Sequence, residues 1–153
     1  MGKSAYQNAT ATGLASFSSR GVEMIRSVKR ILIVEDNDLN LMLLNDLLKV
    51  QGYEIFKTSV GLEAINLARD KQPDLILMDI KLPDICGLDV TRRLKQDDLT
   101  KSIPIIAITA FATPGDETKA LESGCDGYIT KPIDVRLFPS QVGAFCGSAG
   151  TLP

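Results

Sequence analysis

Five residues with reactive side chains each follow a short apolar run in the sequence. They are Glu35, Asp36, Asp79, Thr109 and Lys131. Apolar runs of this length are typical of strands that are buried on both faces of a parallel sheet. Because such sheets bind ligands at the carboxyl ends of their strands, we expect the five side chains to converge on one edge. The sequence therefore predicts a site of three carboxylates, one hydroxyl and one ammonium group.

The charges of this predicted site indicate a divalent metal ion. Three adjacent carboxylates repel one another, and Lys131 supplies a single positive charge. The ligands would be hard oxygens, and the chain has no histidine, a combination that suits Mg²⁺. A carboxylate in this setting can be a nucleophile toward a phosphoryl group, with the metal, the lysine and the hydroxyl acting on the phosphoryl oxygens. The lack of histidine also excludes a histidine base and an internal phosphohistidine.

Each of these residues also has an ordinary structural explanation. The acidic stretch at residues 35–38 could be a capped helix N-terminus, where negative charge is favourable. Asp79 could be a turn aspartate, Thr109 a hydroxyl at a strand end and Lys131 a surface lysine. Their joint occurrence at successive strand ends favours a site.

The elements that must position these residues alternate five times between strand and helix. Strands are predicted at residues 31–34, 53–57, 75–78, 103–109 and 128–129, and helices at 39–48, 61–71, 88–95, 115–123 and, with a weak pattern, from 134. With right-handed crossovers, this order predicts an α/β fold, a doubly wound five-stranded parallel sheet with helices on both faces. Pro139 and Gly143 predict that the last helix starts late or is short.

Other ligand classes on a similar fold fit the sequence less well. A flavin or nucleotide binder needs a Gly, Ser or Thr loop after the first strand to hold phosphate, and Glu35 and Asp36 occupy that place. A P-loop is absent from the sequence. A phosphatase with Asp79 as its nucleophile would need an acid two residues later, where the chain has Lys81.

The composition agrees with a soluble domain of ordinary type. It is 44% hydrophobic and 24% charged, and no apolar run approaches the length of a membrane span. A net charge of -2 gives no general attraction to nucleic acid or to a membrane surface. Cys86, Cys125 and Cys146 have no paired spacing, which indicates reduced structural cysteines and a cytoplasmic location.

The chain divides into one domain and two tails. Residues 1–28 show no sustained periodicity and are predicted to be a disordered tail, residues 29–146 form the domain, and residues 147–153 form a C-terminal tail. The segment "MIRSVKRILIVED" leads directly into the first strand. We therefore expect translation to start at Met24.

Four segments of the chain resemble the receiver domain of response regulators. They are "ILIVEDNDLNLMLLNDLLKVQGYE", "PDLILMDIKLPDICGLDVTRRLK", "IPIIAITAFATPGDE" and "GCDGYITKPI". Together they span about residues 29–145, and within the family the likeness is greatest to single-domain cell-cycle regulators. The resemblance implies the flavodoxin-like receiver fold, with strand order 2-1-3-4-5.

The resemblance also implies a role for each site residue. Asp79 is expected to be the phosphoacceptor, and Lys131, followed by a cis bond to Pro132, is expected to bind the phosphoryl group. Glu35, Asp36, Asp79 and the backbone carbonyl of Lys81 are the expected Mg²⁺ ligands. Many relatives have Asp at the position of Glu35, so the longer side chain is expected to act through water. Thr109 and Tyr128 are the expected switch residues.

The implied function is that of a single-domain response regulator. Its phosphoryl donor would be a histidine kinase or a histidine phosphotransfer protein, and its output would be binding to a downstream protein. It would catalyse its own phosphorylation and slow dephosphorylation, and it would be a monomer or weak dimer. Slow hydrolysis is expected because neither Lys81 nor Phe111 can activate a water that approaches Asp79. The alternative is a receiver-like interaction module that takes no phosphate.

Overall fold

Strands and helices alternate along the chain in the order that the sequence predicts. The computed structural model describes residues 28–110 and 113–146. The strands in these ranges are β1 (Arg30–Val34), β2 (Glu54–Thr58), β3 (Leu75–Asp79), β4 (Ile105–Thr109) and β5 (Gly127–Thr130). The helices are α1 (Asp38–Val50), α2 (Gly61–Lys71), α3 (Gly87–Gln96), α4 (Pro114–Glu122) and α5 (Phe138–Cys146). Residues 1–27, with Met24, and residues 147–153 lie outside the described ranges.

The strands form one parallel sheet in the order β2-β1-β3-β4-β5, which confirms the expected topology. In the register of the central strands, Val34 pairs with Met78 and Asp79 with Ile108. Thr109 pairs with Thr130, the residue before Lys131. The ends of β1, β3, β4 and β5 therefore lie side by side at one edge of the sheet.

Alternate residues of each central strand pack on opposite faces of the sheet. On β1, Ile31 and Ile33 contact one hydrophobic layer, while Leu32 and Val34 contact the other. The first layer is completed by residues of α1 and α5, namely Leu44, Leu48, Phe138, Val142 and Cys146. The second layer is completed by residues of α2, α3 and α4, namely Ala64, Ala68, Val90, Leu94 and Ala120. Within the described ranges, no helix is both long and apolar enough to cross a membrane.

The last helix begins at Phe138, four residues later than the position near Asp134 that the sequence pattern suggested. The Asp134 carboxylate accepts hydrogen bonds from the backbone N–H groups of Arg136 and Leu137, at 3.0 and 3.4 Å, and holds residues 135–137 in a turn. Pro139 then falls in the first turn of α5, where it removes no helical hydrogen bond. The start near Asp134 is therefore wrong, whereas the late start expected from Pro139 and Gly143 is confirmed.

We expect the packing of α5 to depend strongly on Phe138. This side chain is 0% exposed, whereas its neighbour Leu137 is 55% exposed. Phe138→Ala should lower the free energy of unfolding by about 3–5 kcal/mol, because it leaves a cavity between α5 and the sheet. Leu137→Ala, the matched control, should change it by less than about 0.5 kcal/mol. Urea denaturation measures both, and equal losses would contradict this account of the packing.

Candidate functional site

The first two acids of the site follow β1 but differ in exposure. The Glu35 N–H donates to the Thr58 carbonyl at 3.0 Å, which continues the β1–β2 pairing and turns the Glu35 side chain inward, where it is 1% exposed. Asp36 is exposed. Asn37 then caps α1, since its side chain accepts from the Asn40 N–H at 2.9 Å. Its own N–H donates to Glu35 Oε2 at 3.2 Å and so fixes that carboxylate.

Asp79 is the last residue of β3 and is 4% exposed. Its Oδ1 accepts a hydrogen bond from the Lys81 N–H at 3.2 Å. The loop that follows returns so closely that a Cβ on Gly87 would lie 2.1 Å from the Asp79 carbonyl oxygen. Because that neighbour is backbone and cannot move aside, the first residue of α3 must be glycine here.

Lys131 brings its ammonium group between the two buried acids. Its Nζ lies 3.1 Å from Glu35 Oε1, 3.3 Å from Glu35 Oε2 and 3.4 Å from Asp79 Oδ2. The Lys131 N–H donates to the Thr109 carbonyl at 2.8 Å and extends the β4–β5 pairing past the end of β5. The bond to Pro132 is cis, as expected.

The acids outnumber the cation, and the pKa values of Asp79 and Lys131 are both raised. Burial, and after it the hydrogen bond and charge of Glu35, raise the pKa of Asp79 from 3.8 to about 6, against the lowering effects of Lys131 and the Lys81 N–H. Burial alone would lower the pKa of Lys131. Its hydrogen bond to Glu35 and the two carboxylate charges outweigh burial, and the pKa of Lys131 is raised.

The donor set fits a hard divalent cation. Glu35, Asp36 and Asp79 each offer a carboxylate oxygen, and these oxygens lie within 4.8 Å of one another. Glu35 Oε1 is fully buried and has no hydrogen-bond partner among the described residues, although the Lys131 ammonium lies 3.1 Å away. A buried acceptor with unused capacity, in an oxygen-only cluster with excess negative charge, suits Mg²⁺.

One cavity of about 360 Å³ unites six of the seven residues that the sequence placed at the site. They are Glu35, Asp36, Asp79, Lys81, Thr109 and Lys131. Thr109 is 2% exposed at the end of β4. Tyr128, the seventh, lies on β5 and pairs with Ala107 of β4. Its side chain is half-buried against the layer of α2, α3 and α4. Burial and the nearby charges of Asp116 and Glu117 raise the pKa of Tyr128.

The cavity is also lined by residues that the sequence did not place at the site. They are Asn37, Asn40 and Ala110. The capping pattern of residues 35–38 was the available signal for Asn37, and it indicated a helix start rather than a cavity wall. Lys81 is exposed at the rim, while Phe111 lies outside the described residues.

The fold and the site together define a class of signalling protein. The family model described as "Response regulator receiver domain" matches residues 31–142. The chain belongs to this family, whose members act in two-component signalling.

Individual relatives show which kind of response regulator the chain resembles. The chain is 51% identical over 121 residues to the polar-differentiation response regulator DivK of Brucella anthropi, covering 79% of this chain and 98% of the relative. It is 50% identical, with the same coverage, to DivK of Brucella ovis. These relatives confirm the predicted likeness to a DivK-type response regulator.

Solved structures agree with the fold and with the character of the site. A response regulator from Chloroflexus aurantiacus matches with a TM-score of 0.75 at 29% identity, covering 78% of this chain and 98% of that chain. The receiver domain of the sensor histidine kinase PA1611 from Pseudomonas aeruginosa matches with a TM-score of 0.73 at 32% identity, covering 79% and 99%. The latter structure has a magnesium ion coordinated in its active site cleft.

We expect Asp79→Asn to stabilise the metal-free protein above pH 6. The folded-state pKa of Asp79, about 6, exceeds its ordinary value of 3.8. Protonation therefore favours the folded state, and this contribution is complete below about pH 4 and is lost as the pH rises through 6. At pH 8 in EDTA the variant should be more stable than wild type by roughly 1–3 kcal/mol, and at pH 4 the two should agree.

Urea denaturation at several pH values tests this expectation. Asp70→Asn serves as the control, because this α2 carboxylate is 73% exposed and should show no comparable gain. Saturating Mg²⁺ should reduce the advantage of Asp79→Asn. A variant less stable than wild type at pH 8 in EDTA would mean that the buried charge is already compensated.

Proposed function

We propose that the chain accepts a phosphoryl group on Asp79 in an Mg²⁺-dependent reaction and that phosphorylation switches its binding to another protein. The observation that carries the proposal is the charge arrangement at the sheet edge. A buried carboxylate at the end of β3 lies 3.4 Å from a lysine ammonium and within 4.8 Å of two further acids. The three acids exceed the single ammonium by two negative charges, which a metal ion would relieve, and the ammonium is placed to bind a phosphoryl group.

The chain's own residues account for most of the transfer step. One Asp79 carboxylate oxygen forms a bond to phosphorus as the bond from phosphorus to the donor breaks, and the leaving group departs with its electron pair. Lys131, already beside Asp79 Oδ2 at 3.4 Å, would bind the transferred phosphoryl oxygens. Asp36, Asp79 and the Lys81 carbonyl would hold Mg²⁺, with Glu35 beside them. The chemistry that Mg²⁺ supplies when bound is neutralisation of the phosphoryl charge.

Thr109 is the residue we propose to carry the signal away from Asp79. It lines the same cavity and sits at the end of the neighbouring strand, so its hydroxyl could donate to a phosphoryl oxygen. Its backbone is tied to Lys131 at 2.8 Å. Tyr128 lies on β5, beside β4, and we propose that it changes position when Thr109 moves. The resulting surface change would be read by a protein partner.

We propose that the phosphoryl donor is a histidine kinase or a histidine phosphotransfer protein, since these 153 residues contain no histidine that could carry the phosphoryl group. We propose that the acyl phosphate is then lost slowly. Lys81 is exposed at the cavity rim, where its long side chain would obstruct the approach of water to Asp79.

Phosphorylation should require both Asp79 and Mg²⁺. Incubation of the purified chain with acetyl phosphate and Mg²⁺ should add one phosphoryl group that hydroxylamine removes, as measured by intact mass. EDTA or Asp79→Asn should abolish the gain, because each removes a part of the site that Asp70→Asn, the control, leaves intact. Equal labelling of Asp79→Asn would place the acceptor elsewhere. A wild type that takes no phosphoryl group from acetyl phosphate or from a histidine kinase would favour a non-phosphorylated interaction module.

Metal binding in the absence of phosphate should depend on Asp36. Asp36→Ala should weaken Mg²⁺ binding at least about tenfold, because Mg²⁺ in proteins is held by only one or two carboxylates. Asp38→Ala is the matched control: it is also exposed and two residues away, but it is outside the carboxylate cluster. Isothermal titration with MgCl₂ measures both. Equal affinities for wild type and Asp36→Ala would contradict the ligand assignment.

A further inference from the structure

Helix α2 begins without a local side-chain cap. Its N-cap residue is Val60, whose side chain cannot accept a hydrogen bond. The first backbone N–H groups of a helix need acceptors, and a negative charge near them is favourable. For α2 the acceptors come from a loop more than twenty residues further along the chain.

Asp84, in the loop between β3 and α3, supplies both acceptors. The Gly61 N–H donates to Asp84 Oδ1 at 2.8 Å, and the Leu62 N–H donates to Asp84 Oδ2 at 2.9 Å. The bond from Leu62 is the main reason that the pKa of the Asp84 carboxyl is lowered; desolvation opposes it, and the bond from Gly61 adds to the lowering. The carboxylate is therefore held by two charge-assisted bonds rather than by one.

The loop that carries Asp84 is fixed at its base as well as at this point. The Gly87 N–H donates to the Ile80 carbonyl at 2.8 Å and closes residues 80–87 into a compact turn. Ile85 packs so tightly on the start of α2 that a Cβ on Gly61 would lie 2.5 Å from Ile85 Cγ2. Asp84 thus anchors the outer part of a loop whose base is already closed.

Each of the two segments that this contact joins is also linked by a hydrogen bond to an acid of the cluster. On one side, the same loop contains Lys81, whose N–H donates to Asp79 Oδ1 at 3.2 Å. On the other side, the turn before α2 follows Thr58, the last residue of β2, whose carbonyl accepts the Glu35 N–H at 3.0 Å. Asp84 therefore joins the loop after Asp79 to the segment that supports Glu35.

We propose that Asp84 is a positioning residue for phosphoryl transfer. By holding the β3–α3 loop against the start of α2, it fixes the Lys81 backbone relative to the Asp79 carboxylate. The Lys81 N–H then orients Asp79, and the Lys81 carbonyl is placed for the metal ion. The inference rests on the proposed function for its catalytic consequence. Its structural part, the placement of Lys81, can be tested in the metal-free protein.

The test compares Asp84→Ala with Asp84→Asn and with Asp97→Ala. Asp97 is the matched control, because its carboxylate also accepts a backbone N–H, from Leu99 at 2.9 Å, and pairs with Arg69 at 3.1 Å. It lies between α3 and β4, at the amino ends of the strands and away from the acid cluster. Asp84→Asn retains a side-chain oxygen that can accept one of the two bonds, so it should preserve part of the effect.

Two measurements follow the loop itself. Hydrogen exchange of the Lys81 amide in EDTA should be about tenfold faster in Asp84→Ala, intermediate in Asp84→Asn and unchanged in Asp97→Ala. The affinity for Mg²⁺, measured by titration without a phosphodonor, should fall about tenfold in Asp84→Ala and should recover in part in Asp84→Asn. The rate of labelling by acetyl phosphate at saturating Mg²⁺ should follow the same order.

The outcomes separate this inference from the proposed function. If Asp84→Ala and Asp97→Ala change Lys81 exchange and Mg²⁺ affinity equally, Asp84 acts only on stability and the inference is overturned. It is also overturned if Asp84→Ala alters neither quantity. If wild type takes no phosphoryl group, the proposed function fails, while exchange and Mg²⁺ affinity still decide the role of Asp84. If Asp84→Ala does not fold, the intermediate response of Asp84→Asn against Asp97→Ala decides it.

Discussion

The structure depends on a buried imbalance of charge at the carboxyl edge of its sheet. Two acids, Glu35 and Asp79, are almost fully buried and share one ammonium group, that of Lys131. A third acid, Asp36, stands at the same place in the open cavity. Removing a carboxylate from water is costly unless it is paired, and here one cation serves two buried carboxylates. The folded protein therefore retains an unfavourable interaction that a proton or a cation would relieve.

The parallel sheet can hold these charges together because its interior is apolar on both faces. Val34 and Met78 pair directly before the two acids, and both are almost completely buried. Full burial of one such side chain contributes about 1.5–3 kcal/mol, so a few core residues offset a penalty of a few kcal/mol at the edge. Backbone bonds then limit how far the acids can separate, since Glu35 is tied to Thr58 and Asp79 to Lys81. Burial, and after it the interaction with Glu35, therefore raises the pKa of Asp79.

This architecture explains which parts of the site the sequence could predict. The ends of adjacent parallel strands must meet, so the convergence of residues such as Asp79, Thr109 and Lys131 followed from strand positions alone. The clamp between Asp84 and the start of α2 could not be predicted, because it joins loops more than twenty residues apart and no local pattern marks it. The start of α5 was misplaced for a related reason. Asp134 has the residue type of a helix cap, but its hydrogen bonds close a turn, and the helix starts where Phe138 can enter the core.

The single cation lies slightly closer to Glu35 than to Asp79. Both Glu35 carboxylate oxygens lie within 3.3 Å of Lys131 Nζ, whereas the nearest Asp79 oxygen is 3.4 Å away. Each carboxylate also receives one backbone N–H, Glu35 from Asn37 and Asp79 from Lys81. Burial, and after it the hydrogen bond and charge of Glu35, raise the pKa of Asp79 to about 6. A cation that took up part of the Glu35 charge would leave more of the Lys131 ammonium for whatever group is attached to Asp79. On the proposed function, the glutamate at position 35 would therefore couple the charge state of the cavity to the reactivity of the carboxylate beside it.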